Sequence, residues 1–312
     1  MNQVSTMPLV SIIIPSYNQG KFIRETIESC LLQDYRPIEI LVMDGGSKDE
    51  TVAVLKTFDV AELVWISEPD NGVVDAANKG MARAKGDILT IQSSDDLFLP
   101  GAITKTVQTL IANPDVGVVY GDVELIDQDS RMIGKDVQGD FDFAEYLGRL
   151  QYIPQPGTCF TRKAMLATGQ WRDSVSYAAD ADFWIRIATK FRVKKIDAML
   201  ARYRYHDEQR DTQQTKIARD WAGSANDLLA SGVLDKRLSR YARMGIHLAR
   251  YRYADKADWK LRTRELYAAF FANPAALMDS RFPKRELLPG RDPIWAFLSR
   301  IKRKLGFKPR SA

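Results

Sequence analysis

Two adjacent aspartates, Asp95 and Asp96, follow the apolar run Ile88-Leu89-Thr90-Ile91 after a short polar step, Gln92-Ser93-Ser94. Neighbouring carboxylates disfavour each other's ionised form, the more so as water is withdrawn. A divalent cation that takes hard oxygen ligands, Mg²⁺ or Mn²⁺, removes the conflict. The same pair would equally suit the N-terminal end of the helix expected after Pro100, where aspartate is favoured. The pair alone leaves both readings open.

Three further polar clusters follow apolar runs in the same way. Pro15-Ser16-Tyr17-Asn18 follows Val10-Ser11-Ile12-Ile13-Ile14, and Asp44-Gly45-Gly46-Ser47 follows Ile38 to Met43. Glu68 and Asp70 follow Leu63-Val64-Trp65-Ile66. Each has a bland reading: Tyr17 as a turn aromatic, Asp44 as a turn residue before two glycines, Glu68 and Asp70 as shapers of the Asp70-Asn71-Gly72 turn. Lys79 stands four residues after Asp75, the spacing of a helical ion pair.

The elements that must position these groups can be read from periodicity. Short, nearly all-apolar runs read as strands buried on both faces, as in a parallel sheet. Between them, residues 20–32 place Phe22, Ile23, Ile27 and Leu31 on one helical side. Ser47 followed by Glu50 has the form of a capping box, which predicts a helix carrying Val52, Leu55 and Phe58. Further helices are expected over 73–84 and after Pro100, and strands near 116–126. The alternation is βαβαβαβ, and right-handed crossovers turn it into a doubly wound sheet, α/β in class. Ligands of such sheets bind at the carboxyl ends of the strands, where every cluster named above lies. The stretch 127–205 mixes short strands and loops with one strong helix at 180–190, and 209–280 is helical in pattern.

Composition narrows the function classes. Of 312 residues, 45% are hydrophobic and 27% charged, as in a globular protein with a sizeable core. No apolar run approaches the roughly 18 residues of a membrane-spanning helix, and the first residues lack the pattern of a secretory signal. Cys30 and Cys159 show no paired spacing, which fits a reduced, cytoplasmic setting and no metal-ligand role. The net charge of +5 is unevenly placed: residues 281–312 hold ten Lys or Arg and two acids, which leaves 1–280 at −3. A basic body would suggest nucleic acid; a basic tail suggests an interaction segment. In that tail Ile294, Leu298, Ile301 and Leu305 recur at helical spacing among Arg300, Lys302, Arg303 and Lys304. A basic amphipathic helix of this kind suits an anionic membrane surface, here the inner face of the cytoplasmic membrane. A dinucleotide-binding GxGxxG or a GxxxxGK[ST] loop is missing after the first strand, against nicotinamide-dependent and P-loop enzymes.

Several segments, in order, resemble glycosyltransferase family 2 with its GT-A fold: VSIIIPSYNQGKFIRETIES, EILVMDGGSKDET, SEPDNGVVDAANKG and GDILTIQSSDDLFLPGA. QPGTCFTRKA, DADFWIRI and YRYHDEQR resemble its acceptor-side elements. The resemblance implies a GT-A domain over 8–208, with a nucleotide-binding half at 8–126 and an acceptor half at 127–208. A helical extension at 209–280 and the tail at 281–312 follow. It implies that Pro15, Ser16 and Tyr17 line the base of a nucleotide-sugar donor, that Asp44 accepts a hydrogen bond from that base, uracil, and that Lys79 reaches the base or diphosphate. Asp95 would contact the ribose, Asp96 would bind Mn²⁺ or Mg²⁺ at the diphosphate, and His206 would complete the metal site or hold the diphosphate. Glu68 and Asp70 match the family's acidic pair in the third strand-end loop.

By the same resemblance, the base that would activate the acceptor hydroxyl falls at Asp180. The family usually carries Glu-Asp there, whereas this chain has Ala179-Asp180, which brings Asp182 forward as a substitute. Gln155 and Pro156 resemble the acceptor-facing loop. The implied activity is inverting, metal-dependent transfer from a UDP-sugar to a glycan or lipid-linked acceptor in surface polysaccharide synthesis. Two rivals stand beside it. One is a sugar-phosphate nucleotidyltransferase, whose glycine-rich signature the segment 15–20 does not supply. The other is a non-catalytic, membrane-tethered partner of a synthesis complex.

Overall fold

The computed structural model describes residues 7–206, 213–255 and 257–275. Strand β1 (Val10–Ser16) is buried along its whole length. Ile12 and Ile14 enter one apolar layer with Ile23 and Ile27 of α1 (Ile23–Leu31). Ile13 enters the opposite layer with Val74, Ala77 and Met81 of α3 (Val73–Arg83). Side chains alternate along a strand, so a strand covered on both faces reads as an unbroken apolar run. Helix α3 lies close because Gly80 has no side chain; a Cβ there would stand 2.3 Å from Ile13 Cγ2.

Strands β2 (Ile38–Asp44), β3 (Leu63–Ser67) and β4 (Ile88–Ile91) join β1 in the parallel order β3-β2-β1-β4. Beyond β4 the sheet changes character. The three-residue β8 (Cys159–Thr161) runs antiparallel between β4 and the long β6 (Val116–Ile126). β9 (Arg192–Arg204) runs parallel to β6, and the short β5 (Leu97–Phe98) pairs antiparallel with β9. β7 (Met132–Asp136) folds back on β6. The sheet is therefore mixed, with four parallel and four antiparallel pairings among the described strands. The mostly parallel sheet expected from the alternation holds for the first half, where helices supply the crossovers. Beyond it β8, which enters from a loop rather than from a crossover helix, introduces antiparallel pairings, and β6 and β9 are parallel again.

A second correction concerns the helix after Asp44. It is α2 (Thr51–Leu55), shorter than the capping-box reading and ending before Phe58. Ser47 does not cap it, because its hydroxyl donates to the Asp44 carboxylate. Asp49 takes the terminal role instead, accepting from the Thr51 amide at 3.0 Å.

Helices α4 (Ala102–Ala112), α5 (Phe143–Arg149), α6 (Arg162–Thr168) and α7 (Ala179–Ala188) flank the sheet. The C-terminal helices are α8 (Gln214–Ala230), α9 (Lys236–Tyr253) and α10 (Trp259–Ala272). Trp221, Ala225, Leu228, Ala242 and Ile246 belong to the same apolar cluster as Phe160 and Phe183. The helices beginning after residue 208 thus complete one face of the core. Cys30 and Cys159 are free and fully buried, and burial pushes their thiols up to about 12 and about 11. Among the described residues no helix is long and apolar enough to cross a membrane. The tail at 281–312 lies outside the described residues.

Candidate active site

The carboxyl ends of β1, β2 and β3 are knitted together by Asp44. Its Oδ2 accepts from the Ser67 hydroxyl at 2.6 Å and from the amides of Ser47 at 3.0 Å and Gly46 at 3.2 Å. Ser47 Oγ, which donates to Oδ1, also receives the Asn18 amide at 2.7 Å. The buried Asp44 so joins the loop after β1 to the loop after β2. Pro15 and Ser16 lie in the buried end of β1, and the Ser16 hydroxyl has no hydrogen-bond partner among the described residues. Tyr17 stands at the lip, 56% exposed. A half-exposed ring next in sequence to a buried hydroxyl with an open hydrogen-bonding capacity suits a flat polar ligand.

Asp70 closes the turn before α3, accepting from the Gly72 amide at 2.8 Å. It also lies against the Asp44 loop: a Cβ on Gly45 would stand 2.6 Å from Asp70 Oδ2, so glycine is what admits the carboxylate there. Lys79 makes the helical ion pair with Asp75 at 3.4 Å and reaches Glu68 at 3.3 Å. Glu68, Asp70 and Lys79 are therefore brought together on the rim beside Asp44.

Asp95 and Asp96 occupy different surroundings. Pairing of β5 with β9 carries them to the end of β9. Asp96 is buried; its Oδ1 accepts the Arg204 amide at 2.8 Å, while Oδ2 has no hydrogen-bond partner among the described residues. Burial first, and the charge of Asp95 second, raise its pKa well above the ordinary carboxylate range. His206 Nε2 meets Asp95 Oδ2 at 2.9 Å, and its ring lies 4.9 Å from that of Phe22. No cluster of three metal-ligating side chains forms among the described residues. What the structure offers a cation is one buried, unshared carboxylate oxygen beside a second carboxylate. That fits an ion held by few protein ligands and several substrate oxygens, the usual habit of Mg²⁺.

Gln155 braces this loop, its amide accepting from Ser93 Oγ at 2.8 Å and donating to the Ile91 carbonyl, next to the buried Pro156. Both ends of the side chain are committed to the end of β4 and the loop after it.

Asp180 lies in the first turn of α7 and lines a cavity of about 360 Å³. Tyr152, Tyr177, Tyr203, Tyr205 and Asp136 share the lining. Tyr146, also in the wall, has its phenol pushed well above the usual range by burial, with the Asp180 charge adding. Asp182 does not share this setting, which corrects its reading as a substitute base. Only 1% of its side chain is exposed, and both oxygens are held by guanidinium groups, Oδ2 at 3.0 Å from Arg172 Nε and 2.9 Å from Arg186 Nε. Two residues apart on a helix is about 200° of rotation, which sends one carboxylate to the cavity and the other to the core.

Arg204 is the residue sequence reasoning missed. It is fully buried, donating from Nε to the Asp95 carbonyl at 2.7 Å, from Nη1 to Ser130 Oγ at 2.8 Å and from Nη2 to Glu25 at 2.8 Å. An arginine in an alternating strand segment gives no sign of such burial; the aromatic residues on either side of it were the available hint.

Comparison with known proteins follows this geometry. A family model described as "Glycosyl transferase family 2" matches residues 11–166. An uncharacterized glycosyltransferase of Rickettsia typhi is 31% identical over 218 residues, spanning 67% of this chain and 68% of that protein. The mannosyltransferase PcManGT of Pyrobaculum calidifontis, solved with GDP-Man and Mn²⁺, aligns with a TM-score of 0.63 at 20% identity, over 98% of this chain and 82% of that one. Residues 1–349 of S. aureus TarS with UDP-GlcNAc align with a TM-score of 0.63 at 13% identity, over 89% and 82%. The two solved structures share the mixed sheet and its flanking helices with this chain.

Proposed function

The chain belongs to glycosyltransferase family 2, and from that premise we propose that it is an inverting transferase moving a sugar from a UDP-sugar to a hydroxyl of a glycan or glycolipid. The observation that carries the reading is the junction at Tyr205 and His206. Tyr205 lines the cavity that holds Asp180, while His206, the next residue, bonds Asp95 at 2.9 Å. A candidate base and a candidate donor site therefore meet at the end of one strand.

In this reading Pro15, Ser16 and Tyr17 receive the base, with the Tyr17 ring stacked on it. Asp44 keeps lone pairs on Oδ1 beyond the Ser47 bond, enough to accept an imide N–H of uracil. Asp95 meets the ribose. Lys79, with Glu68 and Asp70 on the same rim, faces the donor as the cation nearest that acidic pair. Mn²⁺ or Mg²⁺ would be held by Asp96 through Oδ2, with His206 the imidazole at hand to share it. Bound there, the ion would supply positive charge to the departing diphosphate.

Asp180 takes the proton of the acceptor hydroxyl as that oxygen attacks the anomeric carbon from the face opposite the diphosphate. One displacement inverts the configuration and needs no covalent sugar–enzyme intermediate. Gln155 and Pro156 act by holding the Asp95–Asp96 loop from the acceptor side. PcManGT with GDP-Man and TarS with UDP-GlcNAc support a nucleotide-sugar donor and leave the base to be read from this chain's own residues. The basic segment 281–312 is proposed to hold the protein against an anionic membrane surface on the cytoplasmic side.

Nucleotide release from a panel of UDP- and GDP-sugars, with Mn²⁺ or with chelator, tests the reading on the wild type and Asp96→Ala. The expected result is metal-dependent release from one UDP-sugar, lost in the variant. Absence of release, together with absence of metal-dependent nucleotide binding by calorimetry, would overturn it.

A further inference from the structure

We propose that helices α9 and α10 form a folded basic face that binds the surface of an anionic lipid bilayer. It meets the membrane surface proposed for segment 281–312 but is distinct from that segment and acts without it.

The sequence of α9 sets up the face. Its 18 residues include six Lys or Arg and no Asp or Glu. Lys236, Arg240, Arg243, His247 and Arg250 recur at steps of four, three, four and three residues. At 3.6 residues per turn these positions fall within an arc of about 80°, and at 1.5 Å per residue they run about 21 Å along the helix. The opposite side holds Ala242, Gly245, Leu248 and Ala249, all buried. Lys236, Arg240, Arg243 and Arg250 are exposed, and the first three pair with no acid among the described residues.

Helix α10 continues the face. Glu265, buried where α10 meets α9, takes His247 Nδ1 at 2.7 Å on one oxygen and Arg264 Nη2 at 2.9 Å on the other. The middle of the α9 row therefore adjoins Arg264, whose side chain is 72% exposed. Lys260, Arg264 and Phe271 share one side of α10, within about 40° of arc. Phe271 is 72% exposed, and Trp259, with the Lys260 ammonium 5.8 Å from its ring, is 66% exposed. Three aspartates flank the helices, and each accepts a backbone amide: Asp235 from Leu238, Asp255 from Ala257 and Asp258 from Leu261. With these counted, the described residues from 235 to 272 still carry a net charge of +5.

Charge and rings together identify the partner. A row of cations about 21 Å long outspans any single phosphate or carboxylate and calls for an extended anionic surface. Exposed tryptophan and phenylalanine beside Lys and Arg are the side chains that settle at headgroup level. A nucleic acid duplex would satisfy the cations through its phosphates and leave both rings in water. An anionic bilayer takes both, the headgroups meeting the cations and the acyl boundary receiving the rings. Helix α9 ends at Tyr253, in the lining of the cavity that holds Asp180. One helix thus links the lipid-facing row to the cavity of the candidate base.

Flotation of the full chain with vesicles of phosphatidylcholine, alone or mixed with phosphatidylglycerol, tests the face. We expect partition into the mixed vesicles only, weakened by salt. Arg240→Gln/Arg243→Gln/Arg250→Gln should weaken it about a hundredfold, the usual effect of three cations near an anionic surface. Arg240→Lys/Arg243→Lys/Arg250→Lys should keep it, and Trp259→Ala/Phe271→Ala should weaken it about tenfold. Lys302→Gln/Arg303→Gln/Lys304→Gln, in the same chain, reads the share of the tail separately. Thermal melts of the variants separate a lost surface from a lost fold. Absence of partition into the mixed vesicles, partition indifferent to the glutamine triple on α9, or partition lost in the tail variant alone would overturn the proposal. So would single-stranded RNA that binds more tightly than the vesicles and is released by the α9 glutamine triple. Nucleotide release in solution should be unchanged in that triple, so the lipid surface and the transferase reading fail independently.

Discussion

The backbone amide of Arg204 donates to Asp96 Oδ1 at 2.8 Å, and the Arg204 side chain donates to the carbonyl of Asp95 at 2.7 Å. One residue at the end of β9 thus holds both members of the aspartate pair, Asp96 by its main chain and Asp95 by its side chain. The same guanidinium reaches Ser130 beyond β6 and Glu25 on α1, and lies 4.8 Å from the centre of the Phe22 ring. The pair is positioned from three directions, which is what a site that must present one free carboxylate oxygen requires.

Removing that side chain should therefore cost stability and loosen the pair together. Hydrogen bonds to a charged group contribute roughly 1.5–3 kcal/mol each, and the half-exposed Glu25 contact contributes less. Arg204→Ala is expected to lower the unfolding free energy by about 3 kcal/mol in urea titrations, with Arg204→Lys losing less, since lysine keeps the charge without the planar fork. Both should shrink the thermal stabilisation given by Mn²⁺ plus nucleotide. A stability for Arg204→Ala within about 0.5 kcal/mol of wild type, the range of an ordinary surface change, would show that the buried guanidinium does not hold the loop.

Asp96 sets function against stability. Burial and Asp95 raise its pKa above the ordinary 3.8, so ionising it costs the metal-free fold stability as pH rises from 3.8 through the higher folded value. Asp96→Asn keeps the Oδ1 acceptor for Arg204 and removes the charge. The variant should be more stable than wild type without metal at neutral pH, by about 1–2 kcal/mol, with the advantage fading in acid. It should also lose the metal-dependent nucleotide shift. A metal-free melting profile identical to wild type from acid to neutral pH would refute the buried-charge account.

What the chain discloses before folding follows from how regular its pattern is. β1 to β4 each present an apolar run ended by polar residues, and period and position together place Tyr17, Asp44, Glu68 and Asp95 at one edge. β8 has only Cys159, Phe160 and Thr161, too few for any periodicity, so its antiparallel insertion was invisible. Ser47 and Glu50 had the spacing of a capping box, but Asp44, a charged acceptor three residues back, took the serine. Arg204 stayed hidden because burial of an arginine depends on partners as far off in sequence as Glu25. Asp180 and Asp182 could be seen to face different ways on a helix; which of them faced water could not.

Glu265 gives a pH-dependent test of the C-terminal helices. On α10, it accepts at Oε2 from His247 Nδ1 of α9 at 2.7 Å, and its Oε1 is 2.9 Å from Arg264 Nη2. Burial raises its pKa, but His247 and Arg264 outweigh that and leave it below the ordinary 4.5. A depressed carboxylate contributes stability that is present above 4.5 and lost as pH falls through the lower folded value. Glu265→Gln is thus expected to be less stable than wild type by about 1–2 kcal/mol at neutral pH. The gap should close as the solution is acidified below 4.5. A gap constant with pH would mean that shape, not charge, holds α10 to α9.

The two carboxylates of α7 should separate cleanly. Asp182 is shared by Arg172 and Arg186 in the core, and removing one partner of a buried ionic cluster strands the rest. Asp182→Asn is expected to lose about 3 kcal/mol of stability, while the folded fraction still binds nucleotide, because among the described residues its carboxylate is held by Arg172 and Arg186 and by no donor-side group. Asp180→Asn is expected to do the reverse. Its thermal midpoint should fall less than that of Asp182→Asn, since the residue lines a cavity and is only partly buried. Sugar transfer to an acceptor should fall by about 10²–10⁴-fold, the usual contribution of a general base. Nucleotide binding and unfolding measured side by side on both variants check the pair. Should Asp182→Asn abolish transfer at full stability while Asp180→Asn leaves it intact, the base would have to be reassigned to the buried carboxylate, and the cavity would lose its claim to the acceptor.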